Sequence, residues 1–201
     1  MLKENYSPNT YILIIGGTGV IGSAFINYIH KNRNINCISI SRKKGTQQKN
    51  IDHLFIDLLS FNNNVVLDVN YEKKLSKVTH VVYTAYSDAK KIEDIRLINK
   101  KLFKNTLSLI NKYCPNIKHV TLLQGMKAYG SHLGFHKTPS HESDPRTNEK
   151  NFYYDQEDYL KKRSEKIKYK WTILRPHAVI GPKVGTPMNL LMFIAIYANI
   201  C

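Results

Sequence analysis

A chain of 201 residues, 42% hydrophobic and 22% charged, is long enough to bury one ordinary core, and this balance excludes wholesale disorder. Thirty Lys and Arg against fifteen Asp and Glu leave a formal net charge of +15, which favours anionic partners: a phosphorylated cofactor, nucleic acid or an anionic membrane face. A composition rich in Asn, Ile and Lys produces the same excess, so charge alone does not choose among these partners. Cys37, Cys114 and Cys201 lie too far apart for a CxxC or Cys/His ligand pattern. Neither a disulfide framework nor a metal site is expected, and a reducing, cytoplasmic compartment suits such a chain. The polar stretch before Tyr11 does not read as a signal peptide. The apolar run at residues 190–198 falls short of the roughly 20 residues that span a bilayer, so it is predicted as a buried helix. The pattern then stops at Cys201 without a helix stop signal.

Residues 11–15 (YILII) read as a short buried strand that leads directly into a glycine-rich turn, residues 16–22. Apolar residues at Ile21, Phe25 and Ile29 follow with helical spacing. Further strands are predicted at residues 37–41, 53–57, 79–85, 118–124 and 171–175. A long helix is predicted at 93–113 and another at 152–168, with a polar loop at 131–150 before it. No element is assigned between residues 57 and 79, and no repeat or low-complexity segment is present. Strands alternating with helices predict one domain, residues 1–201, with a doubly wound α/β fold of the Rossmann type: a parallel sheet covered on both faces.

Strand, glycine turn and helix in immediate succession are the context in which a glycine motif points to dinucleotide phosphates. Gly16 suits the tight turn, Gly19 the approach of a pyrophosphate and Gly22 the packing of helix on sheet. Thr18, Val20 and Ile21 complete the turn and begin a helix whose free N–H groups favour anions. The G-x-x-G-x-x-G spacing resembles short-chain dehydrogenase/reductases of the extended type. An acid usually follows the second strand where NAD is bound; here stand Ser41, Arg42, Lys43 and Lys44. A guanidinium there suits a 2′-phosphate, so NADPH is expected over NADH. From the fold, Asp57, ending the third strand, is expected near the adenine, Leu58 after it is expected to contact the cofactor, and Ala85 and Tyr86 after the fourth strand are expected near the adenosine ribose.

Ordinary short-chain reductases place Lys four residues after a catalytic Tyr. After Tyr153 and Tyr154 that position holds Glu157 or Asp158. Lys127, directly after the fifth strand with Gln124 just before it, lies where a doubly wound sheet binds ligands. Four segments in order are similar to the progesterone 5β-reductase/iridoid synthase-like enzymes: GMKAYG at 125–130, HESDPR at 141–146, NFYYDQED at 151–158 and WTILRP at 171–176. Residues 187–201 are similar less specifically. The resemblance implies an NADPH-dependent reductase of the activated C=C bond of an enone or enal, with Lys127 and Tyr153 as catalytic residues. It also implies that Ala178 and Val179 meet the nicotinamide amide. Lys-His-Tyr of the plant members is Lys127-Ala128-Tyr129 here, the loop 131–135 looks closer to bacterial members, and the family's chains run on well beyond the position of Cys201.

On that reading Tyr153 stabilises an enolate oxygen, and Lys127 positions the cofactor and favours an acidic phenol. Tyr154 stays open as the alternative tyrosine. Three other readings remain: a dinucleotide-binding module without turnover or a truncated remnant, an epimerase or dehydratase of the extended group, and a nucleic-acid binder using the basic run 161–170. The last has only Tyr169 for base stacking and ranks last. A small α,β-unsaturated carbonyl is the expected partner, no membrane is, and a homodimer stays open.

Overall fold

The computed structural model describes residues 10–31, 35–43, 48–62, 64–183, 185 and 189–200. In β1, Tyr11–Ile15, the side chains of Leu13, Ile14 and Ile15 are all fully buried. Successive side chains of a strand face opposite ways, so burial on both sides puts β1 inside a sheet covered on two faces. The other strands are β2 (Asn36–Ser41), β3 (Ile51–Phe55), β4 (His80–Tyr83), β5 (His119–Leu123) and β6 (Lys170–Leu174). All pairings are parallel, in the order β3-β2-β1-β4-β5-β6. The helices are α1 (Val20–Lys31), α2 (Val69–Leu75), α3 (Ile92–Tyr113), α4 (Phe152–Ile167) and α5 (Leu190–Ile200).

Two apolar clusters flank the sheet. Ile14, Cys37, Ile51 and Val82 pack with Ile26 and Ile29 of α1 on one face. Leu13, Ile15, Ile38 and Ile40 pack on the other with Phe103, Leu107 and Ile110 of α3. This is the doubly wound α/β architecture. The strand order reverses between β1 and β4, and such folds bind ligands in the crevice beyond the strand ends at that reversal.

Three expectations need correction. The third strand runs over Ile51–Phe55, two residues earlier than predicted, because Ile51 is buried in register with Cys37. Asp57 instead turns the chain: its carboxylate accepts from the Leu59 N–H (3.0 Å) and the Ser60 hydroxyl (3.0 Å). The seven-residue α2 escapes periodicity altogether, and its start is set by Asp68, whose side chain accepts from the Asn70 N–H at 2.8 Å. Finally, α5 is a helix but not a buried one. None of its described residues is buried, and Phe193 and Tyr197 are 69% and 63% exposed. An apolar stripe shows that a helix seeks cover, not that these residues supply it.

Candidate active site

The glycine turn meets three constraints at once. Gly16 has φ +87°, and a Cβ there would stand 2.9 Å from the Ala85 backbone, so β1 and β4 touch through it. A Cβ on Gly22 would stand 2.4 Å from the Gly16 carbonyl oxygen, which fixes α1 tightly against the turn. A Cβ on Gly19 would meet only the Gly16 oxygen, at 3.3 Å, leaving its outer side open. The first helical hydrogen bond runs from the Ser23 N–H to the Gly19 carbonyl (2.9 Å). The N–H groups of Val20, Ile21 and Gly22 therefore precede the ladder, with no acceptor among the described residues. Open space in front of unsatisfied amides at the positive end of a 12-residue helix fits a pyrophosphate. Thr18 lies in the turn itself.

Ala85 meets this turn through Gly16, while Tyr153 packs on the segment that follows β5. Gly181, beyond Ala178 and Val179, comes so close to Val20 that a Cβ on it would lie 2.7 Å from the valine Cγ2. Tyr86 stacks obliquely near Phe152 (6.2 Å), and Phe152 meets Tyr153 edge-on (4.4 Å). The Tyr153 hydroxyl sits 3.3 Å from where a Gly125 Cβ would be, and the Pro176 carbonyl oxygen lies 3.7 Å from that same point. Burial, with Tyr86 alongside, pushes the Tyr153 phenol up to about 12. The expected acidic phenol is thus replaced by one that stays protonated, since desolvation disfavours the phenolate. Lys127 lies on a 3-10 turn, Met126–Tyr129, with an exposed side chain that has no hydrogen bond or ion pair among the described residues.

Other predicted residues are placed less decisively. Arg42 and Lys43 are exposed just beyond β2, where the Ser41 hydroxyl donates to the Lys43 carbonyl (2.6 Å), and Lys44 lies outside the described residues. Asp57 is exposed in its turn and Leu58 is buried in the core. Both ends of the Gln124 side-chain amide are engaged: Nε2 donates to the Tyr153 carbonyl (2.8 Å), and Oε1 accepts from Arg175 (3.2 Å).

The NFYYDQED string resolves into bonds. Asn151 caps α4 by accepting the Tyr153 N–H (3.0 Å) and donates to the Lys127 carbonyl (2.9 Å). The Tyr154 hydroxyl donates to the Ala128 carbonyl (2.8 Å) and accepts the Thr147 N–H (3.1 Å). Asp155 binds Arg96 (3.0 Å) and Lys100 (2.8 Å) of α3. Glu157 binds Arg175 (2.9 Å) and Lys161 (2.6 Å), and Asp158 takes both arms of Arg146 (3.0 and 2.7 Å). Sequence reasoning missed Asn99. It is fully buried in α3 and brackets Ser87 with bonds of 2.9 and 2.8 Å, holding the loop that carries Ala85 and Tyr86. A lone Asn on an apolar helix face was its only signal.

Among the described residues no group of three or more His, Cys, Asp or Glu side chains is placed to hold a metal ion, and no helix is long and apolar enough to cross a membrane. The PRISE-like Rossmann-fold domain family matches residues 12–197. An (S)-8-oxocitronellyl enol synthase of Nepeta racemosa is 30% identical over 219 residues, covering 100% of this chain and 55% of that protein. A short chain dehydrogenase of Penicillium aethiopicum is 30% identical over 197 residues, covering 94% of this chain and 52% of its own length. The Bordetella bronchiseptica enzyme WbmH, solved in complex with NAD+, superimposes with a TM-score of 0.68 at 19% identity over 94% of this chain and 62% of that one. The chain spans about half the length of the curated relatives it matches.

Proposed function

Because the chain belongs to the PRISE-like Rossmann-fold domain family, we propose that it is the dinucleotide-binding portion, one domain over residues 1–201, of an NADPH-dependent short-chain reductase that saturates the activated C=C bond of an enone or enal. The observation that carries this reading is the Tyr153 hydroxyl, which lies against Gly125 just beyond β5, at the carboxyl end of the sheet where such folds bind ligands. A protonated phenol in a partly desolvated site is a donor for the oxygen on which negative charge develops as the enone becomes an enolate. A bound reduced nicotinamide supplies the hydride for the β-carbon. Gly16, Thr18, Gly19, Val20, Ile21 and Gly22 hold the pyrophosphate. Lys127, exposed on its turn and unpaired among the described residues, orients the nucleotide through a ribose. Ala178 and Val179 line the nicotinamide end, Ala85 and Tyr86 the adenosine ribose, and Asp57 and Leu58 the adenine. Gln124 serves this site through its bond to Tyr153.

Arg42, with Ser41 and Lys43, selects the 2′-phosphate. Charge-assisted bonds to phosphate are worth about 1.5–3 kcal/mol, so Arg42→Ala should weaken NADPH binding roughly 10- to 100-fold and NADH binding little. Titration of nicotinamide fluorescence with both cofactors checks this, and equal losses for the two would remove the 2′-phosphate assignment. Buried free thiols at Cys37 and Cys114 suit a reducing cytoplasm. A second reading is a binding module without turnover, which the same protein would reveal by binding NADPH while reducing no enone. The epimerase reading loses ground because Glu157, four residues after Tyr153, is committed to Arg175 and Lys161.

A further inference from the structure

We propose that Arg175 is a positioning residue whose guanidinium fork holds the turn carrying Lys127 and the helix carrying Tyr153 in one fixed relation. Its purpose rests on the reductase reading, but its geometry stands apart from it. Arg175 directly follows β6, and its side chain is only 17% exposed. Nε donates to Gln124 Oε1 (3.2 Å), Nη1 to the Tyr129 hydroxyl (3.1 Å) and Nη2 to Glu157 Oε2 (2.9 Å). The guanidinium also lies over the Tyr129 ring at 5.0 Å.

The three acceptors sit on three different elements around the end of β6. Gln124 closes β5, Tyr129 ends the 3-10 turn of Lys127, and Glu157 lies one helical turn beyond Tyr153 on α4. Gln124 extends the link, since its Nε2 donates to the Tyr153 carbonyl at 2.8 Å. Two hydrogen bonds therefore connect the guanidinium to the Tyr153 peptide. A planar fork presents its donors in fixed directions, and an ammonium at the same place would not reach all three acceptors together. Glu157 keeps Lys161 (2.6 Å) and Arg146 (3.4 Å) when Arg175 is removed, so the loss is one of alignment rather than of a stranded charge.

The test reads the phenol itself. 3,5-Difluorotyrosine, whose hydroxyl titrates below that of tyrosine, is placed at position 153 of the full chain, and its 19F shift is followed against pH. Arg175→Lys, Arg175→Met and Gln124→Leu are compared with the parent, with melting curves for each and an NADPH titration of the unlabelled chain. The expected result is that both Arg175 variants and Gln124→Leu lower the apparent phenol titration by about one pH unit as water enters beside Tyr86. Gln124→Leu leaves the Arg175–Glu157 pair in place, so it carries the test if an Arg175 variant does not fold. An unchanged titration in the folded variants, or full rescue by Arg175→Lys, overturns the proposal. Absence of NADPH binding by the parent removes the reductase reading while the 19F titration still decides the role of Arg175.

Discussion

Tyr153 and Tyr154 are neighbours in sequence whose hydroxyls meet opposite surroundings. The Tyr154 hydroxyl ties the Ala128 carbonyl and the Thr147 N–H, and its ring lies under the Arg146 guanidinium at 4.9 Å. The Tyr153 hydroxyl has no hydrogen-bond partner among the described residues and lies against Gly125. If the phenol donates to the developing enolate, Tyr153→Phe should lower enone turnover about 10²–10³-fold while NADPH affinity is retained. Tyr154→Phe should instead lower stability by about 1–3 kcal/mol, because it strands a buried carbonyl and an amide. Steady-state rates and melting curves of both variants separate the roles, and the opposite pattern would hand the catalytic part to Tyr154. The sequence left this choice open for a physical reason. Adjacent helical residues differ by about 100° in direction, and only the position of 3-10 turn residues such as Ala128, brought alongside by the Asn151 cap, decides which hydroxyl is already used.

At the level of elements, the strand–turn–helix formed by β1 and α1 was legible because its parts are contiguous in the chain. Its two key glycines nevertheless make different demands. An added methyl at Gly22 collides with backbone, the Gly16 oxygen at 2.4 Å and the Gly17 Cα at 2.7 Å. Overpacking of this kind should cost about 1–3 kcal/mol, and Gly22→Ala should melt earlier as well as bind cofactor poorly. A methyl at Gly19 meets one atom at 3.3 Å and otherwise fills the space assigned to phosphate. Gly19→Ala should lose much less melting temperature than Gly22→Ala and lose NADPH affinity, which melting and fluorescence titration on one sample would show. Loss of stability in Gly19→Ala with binding intact would contradict the open phosphate face. The elements that the sequence misjudged depend on distant partners. β3 is placed by the pairing of Ile51 with Cys37, α2 by a single capping Asp68, and the exposure of α5 by what the described residues leave uncovered. Gln124, Arg175 and Glu157 could be read one by one, but their junction exists only once β5, β6 and α4 meet.

Across the whole molecule, burial of titratable groups sets opposite limits on stability. His80 and His119 stack at 6.5 Å on adjacent strands. Burial lowers both from 6.5, helped by His119 and Lys118 beside His80 and by Lys170 beside His119. A lowered value means that the unfolded chain binds the proton more readily, so stability falls as pH drops through about 6.5 and below. The alkaline side runs the other way. Burial pushes Cys37 and Cys114 from 9.0 to about 12, with Asp52 adding to the shift of Cys37. It also raises Tyr153 and Tyr169 from 10.0 to about 12, assisted at Tyr153 by Tyr86, while Arg163 opposes the shift at Tyr169. The unfolded chain releases these protons first, so stability is intact below about pH 9 and is lost as pH climbs towards 12. Melting temperatures at constant ionic strength should form a plateau between about pH 6.5 and 9 and decline on both sides. His80→Asn combined with His119→Asn should flatten the acidic limb near pH 6 and leave the alkaline limb unchanged. A melting temperature that keeps rising beyond pH 9 would mean that the thiols and phenols are not desolvated in the fold, and the partly desolvated, protonated state assigned to Tyr153 would fall with them.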